Sequence, residues 1–290
     1  MTDQYINKKC TLCGGTSFSL YVKARSLYSD KLYDIVRCRK CNLVSTASPP
    51  DNILGVYINA DNFVSYFTDK EERDQAFFSA VINELLHYQK FREGMKLLDV
   101  GCGTGAFLRV AKSAGWDVTG IEPNKDAVKY ASEKFDLNII QGALNYDTFG
   151  LETFNLITIF QTLEHISNPV ETLLMSHRFL KRGGIIFIDV PNLNNIFFLL
   201  SKLFKIKDWA RTLDPSAHLH YFTYRTLKTM ICAANFVPVT LYAGFNKALI
   251  DIALHGRITR KLLSYPYRIA CGLSHLSRVG MSLRIIAQKR

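Results

Sequence analysis

Four of the seven cysteines fall into two closely spaced pairs near the N-terminus. The pairs are Cys10 with Cys13 and Cys38 with Cys41, and two residues separate the members of each pair. A two-residue spacer lets one tight turn direct both thiolates at a single tetrahedral ion, and Gly14 gives the first turn the backbone freedom that it needs. We expect a closed, structural Zn²⁺ site of four thiolates; four reduced thiols or a redox-active pair are the alternatives.

A glycine-rich turn is the second feature that could do chemistry. Gly101, Gly103 and Gly105 alternate with other residues, Asp99 precedes them, and Glu122 follows Gly105 by 17 residues. Glycines let a backbone approach a ligand closely, and a carboxylate after the next strand can accept hydrogen bonds from both hydroxyls of an adenosine ribose. The spacing therefore predicts a cofactor that carries adenosine. The third glycine comes one residue too early for the G-x-G-x-x-G turn of nicotinamide and flavin enzymes.

Three histidines are candidates for a general base. His165 follows a predicted strand, whereas His218 and His220 lie two residues apart in predicted extended chain, where both rings would point to one side. An imidazole titrates near neutral pH, so it can take a proton from a hydroxyl or from an acidic C–H. The alternative for each histidine is a hydrogen-bonded structural role.

The elements that must position these residues alternate between short apolar runs and helical patterns from residue 96 onward. Strands are predicted at 96–100, 117–121, 137–141, 154–160 and 185–190, and helices at 106–114, 125–135 and 169–180. Gly183 and Gly184 are expected to end the last of these helices. The alternation indicates an α/β fold with a doubly wound parallel sheet, which binds ligands at the carboxyl ends of its strands.

In their order and spacing these motifs resemble class I S-adenosylmethionine-dependent methyltransferases. The matching stretches are 99–105, 120–123, 154–165 and 180–184. The resemblance implies a seven-stranded Rossmann-like sheet of order 3-2-1-4-5-7-6 with strand 7 antiparallel. Apolar runs at 237–243 and 281–287 would supply the last two strands.

The same resemblance implies S-adenosylmethionine as the cofactor and assigns residues to it. The glycine turn would hold the methionine end, Glu122 the ribose, and Gln161 would lie near the sulfonium. Relatives often have an acidic residue after the third strand, where this chain has Ala143, so adenine recognition would rest on backbone groups and Leu144. The implied cofactor-binding residues are Asp99, Gly101, Cys102, Gly103, Gly105, Glu122, Pro123, Gly142, Ala143, Leu144 and Gln161.

Three parts are predicted along the chain. Residues 1–50 form a zinc-ribbon-like module, 51–94 a helical and aromatic connecting segment, and 95–290 the methyltransferase domain with insertions at 193–217 and 246–279. Aromatic residues of the connecting segment would either pack on the zinc module or fold over the cofactor. They are Tyr57, Phe63, Tyr66 and Phe67.

The acceptor is predicted from one further stretch. Residues 218–222 resemble a segment near the acceptor pocket of sugar-modifying methyltransferases that also carry N-terminal zinc modules. We therefore expect O- or C-methylation of a small molecule, a sugar or glycan precursor, with a lipid-linked acceptor as a variant. An RNA methyltransferase and a non-catalytic cofactor-binding scaffold are the competing interpretations. The stretch 161–165 lacks the [DN]-P-P-[FY] sequence of enzymes that methylate base amines, which argues against nucleic acid.

The charge and composition of the chain indicate which kinds of binding partner and which cellular compartment to expect. The formal net charge is +11, and the basic residues concentrate at the two ends of the chain, which favours an anionic partner. The basic, apolar segments 193–210 and 246–279 would contact a membrane surface or form a lid. We expect neither a secretory signal peptide nor a membrane-spanning helix, because the first residues lack an apolar run and no apolar run is long enough to cross a bilayer. Unpaired cysteines are typical of a reducing compartment. We expect a cytoplasmic protein, with peripheral membrane contact as an option; the oligomeric state stays open.

Overall fold

The computed structural model describes residues 8–27, 29–49, 64, 71–88, 90, 92–204, 209–244 and 280–290. The strands are β1 (Phe18–Arg25), β2 (Leu32–Cys38), β3 (Val44–Thr46), β4 (Lys96–Val100), β5 (Asp117–Glu122), β6 (Ile139–Gln141), β7 (Phe154–Phe160), β8 (Leu180–Pro191), β9 (His220–Tyr221), β10 (Val237–Gly244) and β11 (Ser282–Gln288). The helices are α1 (Glu71–Tyr88), α2 (Ala106–Ser113), α3 (Lys125–Phe135), α4 (Pro169–Phe179), α5 (Ile196–Leu203) and α6 (Tyr224–Ala233), with 3-10 helices at Leu163–His165 and Trp209–Leu213.

Seven strands form one sheet in the order β10-β11-β8-β7-β4-β5-β6. Strand β4 pairs in parallel with β5 and β7, and β5 pairs in parallel with β6. Strand β11 runs antiparallel to β8, because the Gly183 amide donates to the Lys289 carbonyl at 2.8 Å and the Lys289 amide donates to the Gly184 carbonyl at 3.0 Å. The predicted α/β class and the strand order 3-2-1-4-5-7-6 with strand 7 antiparallel are confirmed.

Gly183 and Gly184 lie inside a strand, so the prediction that they end the preceding helix is wrong. Helix α4 ends at Phe179, and Leu180 already has extended backbone with φ −71° and ψ 140°. A Cβ at Gly184 would come within 2.8 Å of the Lys181 carbonyl oxygen, and Gly183 has φ +76°. The irregular start of β8 therefore requires these glycines, since L side chains fit neither position.

The chain divides into two compact units. The first, here called the core unit, comprises residues 50–188, 231–239 and 286–290. Its centre is an apolar cluster in which strands β4, β7 and β8 pack against helices α1 and α2. Fully buried members from these five elements are Leu97, Leu156, Phe187, Leu85 and Leu108.

The second unit, here called the cysteine unit, comprises residues 1–49, 189–230 and 240–285. Strands β1, β2, β3 and β9 form its four-stranded sheet. The apolar cluster of this unit joins Ile35 and Val44 of the N-terminal strands to Phe198 of α5 and to Trp209. The rings of Phe198 and Trp209 meet edge to face with centroids 4.7 Å apart. Described residues of the stretches 193–204 and 209–213 therefore pack with the N-terminal strands.

Two local predictions in the cysteine unit need correction. The helix expected across 196–209 ends at Leu203, and residues 205–208 lie outside the described residues. Extended chain was predicted from His218 to His220, but the strand begins only at His220 and a bend at Leu219 precedes it.

The connecting-segment aromatics and the second insertion fall outside the part of the chain that the structure describes. These residues are Tyr57, Phe63, Tyr66, Phe67 and the range 246–279. Among the helices that are described, none combines the length and the apolar character needed to cross a bilayer.

Candidate active site

Three glycines with left-handed backbone build the turn between β4 and α2. Their φ angles are 74° at Gly101, 52° at Gly103 and 76° at Gly105. A Cβ at Gly101 would lie 2.4 Å from Thr162 Cγ2, and a Cβ at Gly105 would lie 2.5 Å from Leu137 Cδ1, so packing also excludes side chains there. At Gly103, a Cβ would meet no described atom within 4 Å. A ligand can therefore approach the backbone at Gly103.

Glu122, the last residue of β5, closes this turn. Its Oε2 accepts a hydrogen bond from the Gly103 amide at 2.9 Å, and its Oε1 accepts one from the Asn124 amide at 2.9 Å. The side chain is buried, and burial raises the pKa of its carboxyl group while the two amide donors act in the opposite direction. The acid predicted to bind a ribose thus contacts the glycine turn directly.

Asp99, in β4, is a second buried carboxylate beside the turn. It is 2% exposed, and the Thr158 hydroxyl of β7 donates to its Oδ1 at 2.7 Å. Burial raises the pKa of Asp99 to about 7; the Thr158 hydrogen bond lowers this pKa and the negative charge of Glu122 raises it. Two buried acidic groups therefore lie beside the turn, where a cationic ligand group would favour their ionised forms.

Cys102 and Pro123 are close in sequence to Asp99 and Glu122, respectively. Cys102 is buried, its Sγ would come within 2.6 Å of a Cβ placed at Gly120, and burial raises the pKa of its thiol. Pro123 is half-buried and leads into Asn124, whose side-chain oxygen accepts from the Ala127 amide at 2.9 Å and caps α3. Tight packing of Cys102 and this cap hold the ends of β4 and β5 in place.

The turn after β6 lies next to Glu122. Gly142 donates its amide hydrogen to the Glu122 carbonyl at 3.0 Å and has φ 135°. A Cβ on Gly142 would meet no described atom within 4 Å. Ala143 is exposed and Leu144 is half-buried. The three residues expected to border adenine therefore form an open turn beside the acid expected to bind the ribose.

The chain turns sharply after β7. Gln161 is exposed and has φ 45°, a left-handed conformation that non-glycine residues seldom adopt. The Thr162 hydroxyl donates to the Phe160 carbonyl at 2.8 Å, and the Thr162 side chain fills the space beside Gly101. The segment after β7 is thereby fixed against the glycine turn, a contact that sequence reasoning missed because it is purely tertiary.

His165 ends the 3-10 helix of this segment. Its amide donates to the Thr162 carbonyl at 3.0 Å, and its Nε2 lies 3.7 Å from Oε1 of Glu164. The Glu164 side chain is 2% exposed and that of His165 is 17% exposed. The buried Glu164 carboxyl group is thus the acidic neighbour of the His165 ring. Sequence reasoning selected His165 but missed Glu164 as its partner.

His218 and His220 belong to the cysteine unit, whereas His165 and the cofactor candidates belong to the core unit. His218 Nδ1 lies 3.0 Å from the Leu213 carbonyl oxygen. Because a carbonyl only accepts, Nδ1 carries a proton. His220 is buried, with its ring centroid 6.3 Å from that of Phe222.

The four predicted metal ligands converge within the cysteine unit. The Sγ atoms of Cys10, Cys13, Cys38 and Cys41 all lie within 4.8 Å of one another, with 3.5 Å between Cys10 and Cys41 and 3.6 Å between Cys13 and Cys38. A tetrahedral ion with Zn–S bonds of about 2.3 Å needs sulfur atoms about 3.8 Å apart. Burial raises the pKa of the Cys10 and Cys41 thiols, whereas at Cys38 burial is outweighed by hydrogen bonds, which lower the pKa of the thiol. A bound divalent cation would favour the thiolate form of all four.

The two cysteine turns have the same backbone geometry. Gly14 follows the first pair with φ 67° and donates its amide hydrogen to the Cys10 carbonyl at 2.8 Å. Asn42 follows the second pair with φ 66° and donates to the Cys38 carbonyl at 2.9 Å. Asparagine tolerates the left-handed region better than most residues. Sequence reasoning recognised Gly14 and missed its counterpart Asn42.

Comparison with known proteins agrees with this geometry. The profile of a family described as "Methyltransferase domain" matches residues 70–241. A ubiquinone biosynthesis O-methyltransferase of Psychrobacter arcticus is 28% identical over 170 residues, which are 56% of this chain and 63% of that protein. The protein of the same name from Glaesserella parasuis is 33% identical over 109 residues, 34% of this chain and 46% of that protein. This chain thus matches less than two thirds of either relative.

The fold also has a solved counterpart. The crystal structure of an S-adenosylmethionine-dependent methyltransferase from Thermotoga maritima, described as a possible histamine N-methyltransferase, superposes with a TM-score of 0.57 at 14% identity. The superposition covers 82% of this chain and 100% of that one. At this identity the likeness concerns the fold alone.

Proposed function

Because this chain belongs to the methyltransferase-domain family, we propose that it transfers a methyl group from S-adenosylmethionine to a small-molecule acceptor. One observation carries the choice of cofactor: the buried carboxylates of Asp99 and Glu122 lie beside a glycine turn that is open at Gly103. S-adenosylmethionine is cationic at its ammonium and sulfonium groups. The pyrophosphate of a dinucleotide has no such cationic group, and the third glycine comes one residue too early for the turn that binds it.

Residues from several loops would each bind a different part of the cofactor. The backbone at Gly103 would face the methionine end, Glu122 would accept hydrogen bonds from the ribose, and the turn at 142–144 would border the adenine. Gln161 would lie near the sulfonium. The bound cofactor supplies an already activated methyl group, so the main task of this chain is to orient donor and acceptor, an effect worth about 7–11 kcal/mol at best.

His165 is proposed as the general base for a hydroxyl acceptor. The Glu164 carboxylate, 3.7 Å from His165 Nε2, would stabilise the imidazolium that forms when the acceptor loses its proton. The curated relatives reported above are named O-methyltransferases, which supports oxygen as the methylated atom. His218 and His220 are the alternative bases.

The proposed acceptor is a lipid-linked sugar or glycan precursor. The resemblance of residues 218–222 to sugar-modifying enzymes supports the sugar, and the relatives named for ubiquinone biosynthesis support the lipid. Helix α5 adds a surface for a membrane: Leu203 and Phe204 are each 71% exposed and follow Lys202. Exposed apolar side chains next to a cation suit the interface of an anionic bilayer.

An acceptor panel tests this proposal. The purified chain is incubated with S-adenosylmethionine and, separately, with polyprenyl-linked saccharides, nucleotide sugars and transfer RNA, and release of S-adenosylhomocysteine is measured. We expect release with the polyprenyl-linked saccharides, increased by vesicles that contain phosphatidylglycerol. If S-adenosylhomocysteine is released only with transfer RNA, the acceptor is RNA and the proposed sugar acceptor is wrong. Cofactor binding without release from any acceptor would favour a scaffold.

The four-cysteine cluster is proposed to hold one structural Zn²⁺. Its sulfur atoms are spaced for a tetrahedral ion, and four thiolates would leave no position for a substrate. Elemental analysis of the purified chain should give one zinc per chain. The variant Cys41→Ser should lose the metal, and Cys232→Ser, which changes an exposed cysteine outside the cluster, should keep it.

A further inference from the structure

The second cysteine turn is also the connection between two strands. Strand β2 ends at Cys38, the turn runs through Cys41, and β3 begins at Val44. Within it, the Cys38 amide donates to the Leu43 carbonyl at 2.9 Å. The pairing of β2 with β3 continues from this turn as far as Ile35 with Thr46. A metal ion that fixes the second cysteine turn would therefore also fix the register of β3 against β2.

The other edge of β3 pairs with the segment that carries two of the candidate histidines. We call residues 218–222 the histidine segment. Val44 pairs with Tyr221 and Ser45 with His220 in antiparallel register. About 175 residues of chain separate the two partners, and a strand only three residues long holds one edge of the histidine segment. The ends of the segment make other contacts: the His218 amide donates to the Asp214 carbonyl and the Leu193 amide donates to the Phe222 carbonyl, both at 2.8 Å.

Thr46 is the junction of these contacts. Its amide donates to the Leu219 carbonyl at 3.0 Å, and its hydroxyl donates to the His218 carbonyl at 2.8 Å. The Tyr221 hydroxyl lies 3.0 Å from the Thr46 hydroxyl. Lys8, two residues before the first cysteine, donates from Nζ to the Thr46 carbonyl at 2.9 Å. Both cysteine turns thus reach Thr46, one through β3 and the other through Lys8.

We infer that Thr46 is a positioning residue, through which the metal-binding cysteine turns fix the histidine segment. The inference rests on the proposed function, since the position of this segment matters for methyl transfer only if His218 or His220 serves the acceptor. Binding of the metal would then affect how the methyl acceptor is positioned. Cofactor binding, which uses residues of the core unit, is left unchanged.

Hydrogen–deuterium exchange of the full chain tests the metal link. The Zn²⁺-loaded protein is compared with protein treated with a zinc chelator, and peptides are followed by mass spectrometry. We expect amides of the histidine segment to exchange about five times faster or more after chelation, as loss of one hydrogen bond implies. Residues 96–105 should keep their exchange rate. Loosening confined to residues 8–46, with the histidine segment unchanged, would overturn the inference.

Two variants of Thr46 test the same link without removing the metal. Thr46→Val deletes the hydroxyl and keeps the branched shape, and Thr46→Ser keeps the hydroxyl. In Zn²⁺-loaded protein we expect Thr46→Val to speed exchange of the histidine segment about fivefold, to shift the ring NMR signals of His218 and His220, and to be rescued by Thr46→Ser. The control is Thr229→Val, at an exposed helix position where the hydroxyl donates to the Arg225 carbonyl.

The results separate this inference from the proposed function. Binding of S-adenosylhomocysteine, measured by calorimetry on the same samples, should change less than twofold in Thr46→Val. If the Zn²⁺-loaded wild-type chain does not bind S-adenosylhomocysteine at all, the proposed function fails. If binding is intact and Thr46→Val exchanges like Thr229→Val, the positioning role fails.

Discussion

The carboxylate of Glu122 accepts a hydrogen bond from the amide of Gly103 across 2.9 Å. This contact joins the end of β5 to the turn after β4, two neighbouring parallel strands of the sheet. It brings the acid expected to hold a ribose to the glycine of the turn at which an added Cβ would meet no described atom within 4 Å. The contact thus defines the centre of the candidate cofactor site.

Replacing Glu122 should weaken cofactor binding strongly. Glu122→Gln removes the charge from an acceptor of two hydrogen bonds, and charge-assisted hydrogen bonds are worth about 1.5–3 kcal/mol. We expect the affinity for S-adenosylhomocysteine to fall about 10- to 100-fold in titration calorimetry. Glu133→Gln, at an exposed position of α3, is the matched control. Equal affinities in the two variants would contradict the role of Glu122.

Two glycines of the turn should respond differently to the same change. A Cβ at Gly101 collides with Thr162 and also meets an unfavourable φ, so Gly101→Ala should lower the melting temperature by about 5 °C or more. Gly103→Ala meets only the unfavourable φ, and its methyl group projects toward the ligand. We expect this variant to melt closer to wild type but to bind S-adenosylhomocysteine about tenfold more weakly or worse. The reverse ranking would show that Gly103 does not face the ligand.

Asp99 should make the ligand-free protein less stable as pH rises. Its pKa is about 7 in the folded chain and about 3.9 when unfolded, so between these values only the folded state keeps the proton. Stability is therefore lost as pH rises from about 4 to about 7. Asp99→Asn removes this dependence, so the melting temperature of the variant relative to that of wild type should rise from about pH 4 to about pH 7 and level off above it. A difference that does not change with pH would argue against a raised pKa.

One histidine should be essential for turnover but not for cofactor binding. His165→Ala is expected to lower kcat about 10²- to 10⁴-fold, as loss of a general base does, with unchanged affinity for S-adenosylhomocysteine. His218→Ala and His220→Ala test the alternative bases, and His87→Ala, at an exposed position of α1, is the control. The assay is S-adenosylhomocysteine release with the acceptor found in the panel. Near-wild-type rates in all three variants would mean that orientation alone drives transfer.

Much of the core unit could be predicted because its signals are local. The glycine turn, the acid at the end of the next strand and the alternation of strands and helices each occupy a short window. The paired cysteines were equally local, because one turn brings each pair together. Gly183 and Gly184 were misread because paired glycines serve equally at a helix end and at an irregular strand.

The remaining features depend on contacts that no short window contains. The side chain of Thr162 packs beside Gly101, about 60 residues away in sequence, and the burial of Glu164 follows from packing around it. Pairing of β3 with β9 joins residues about 175 positions apart. A three-residue strand and a two-residue strand carry almost no periodicity, so their pairing could not be read from the sequence.

Calorimetric titration of the purified chain with S-adenosylhomocysteine and, separately, with NAD⁺ tests the central claim most directly. The account predicts saturable binding of S-adenosylhomocysteine at one molecule per chain, and no detectable heat from NAD⁺ at the same concentrations. Saturable binding of NAD⁺ with none of S-adenosylhomocysteine would contradict it.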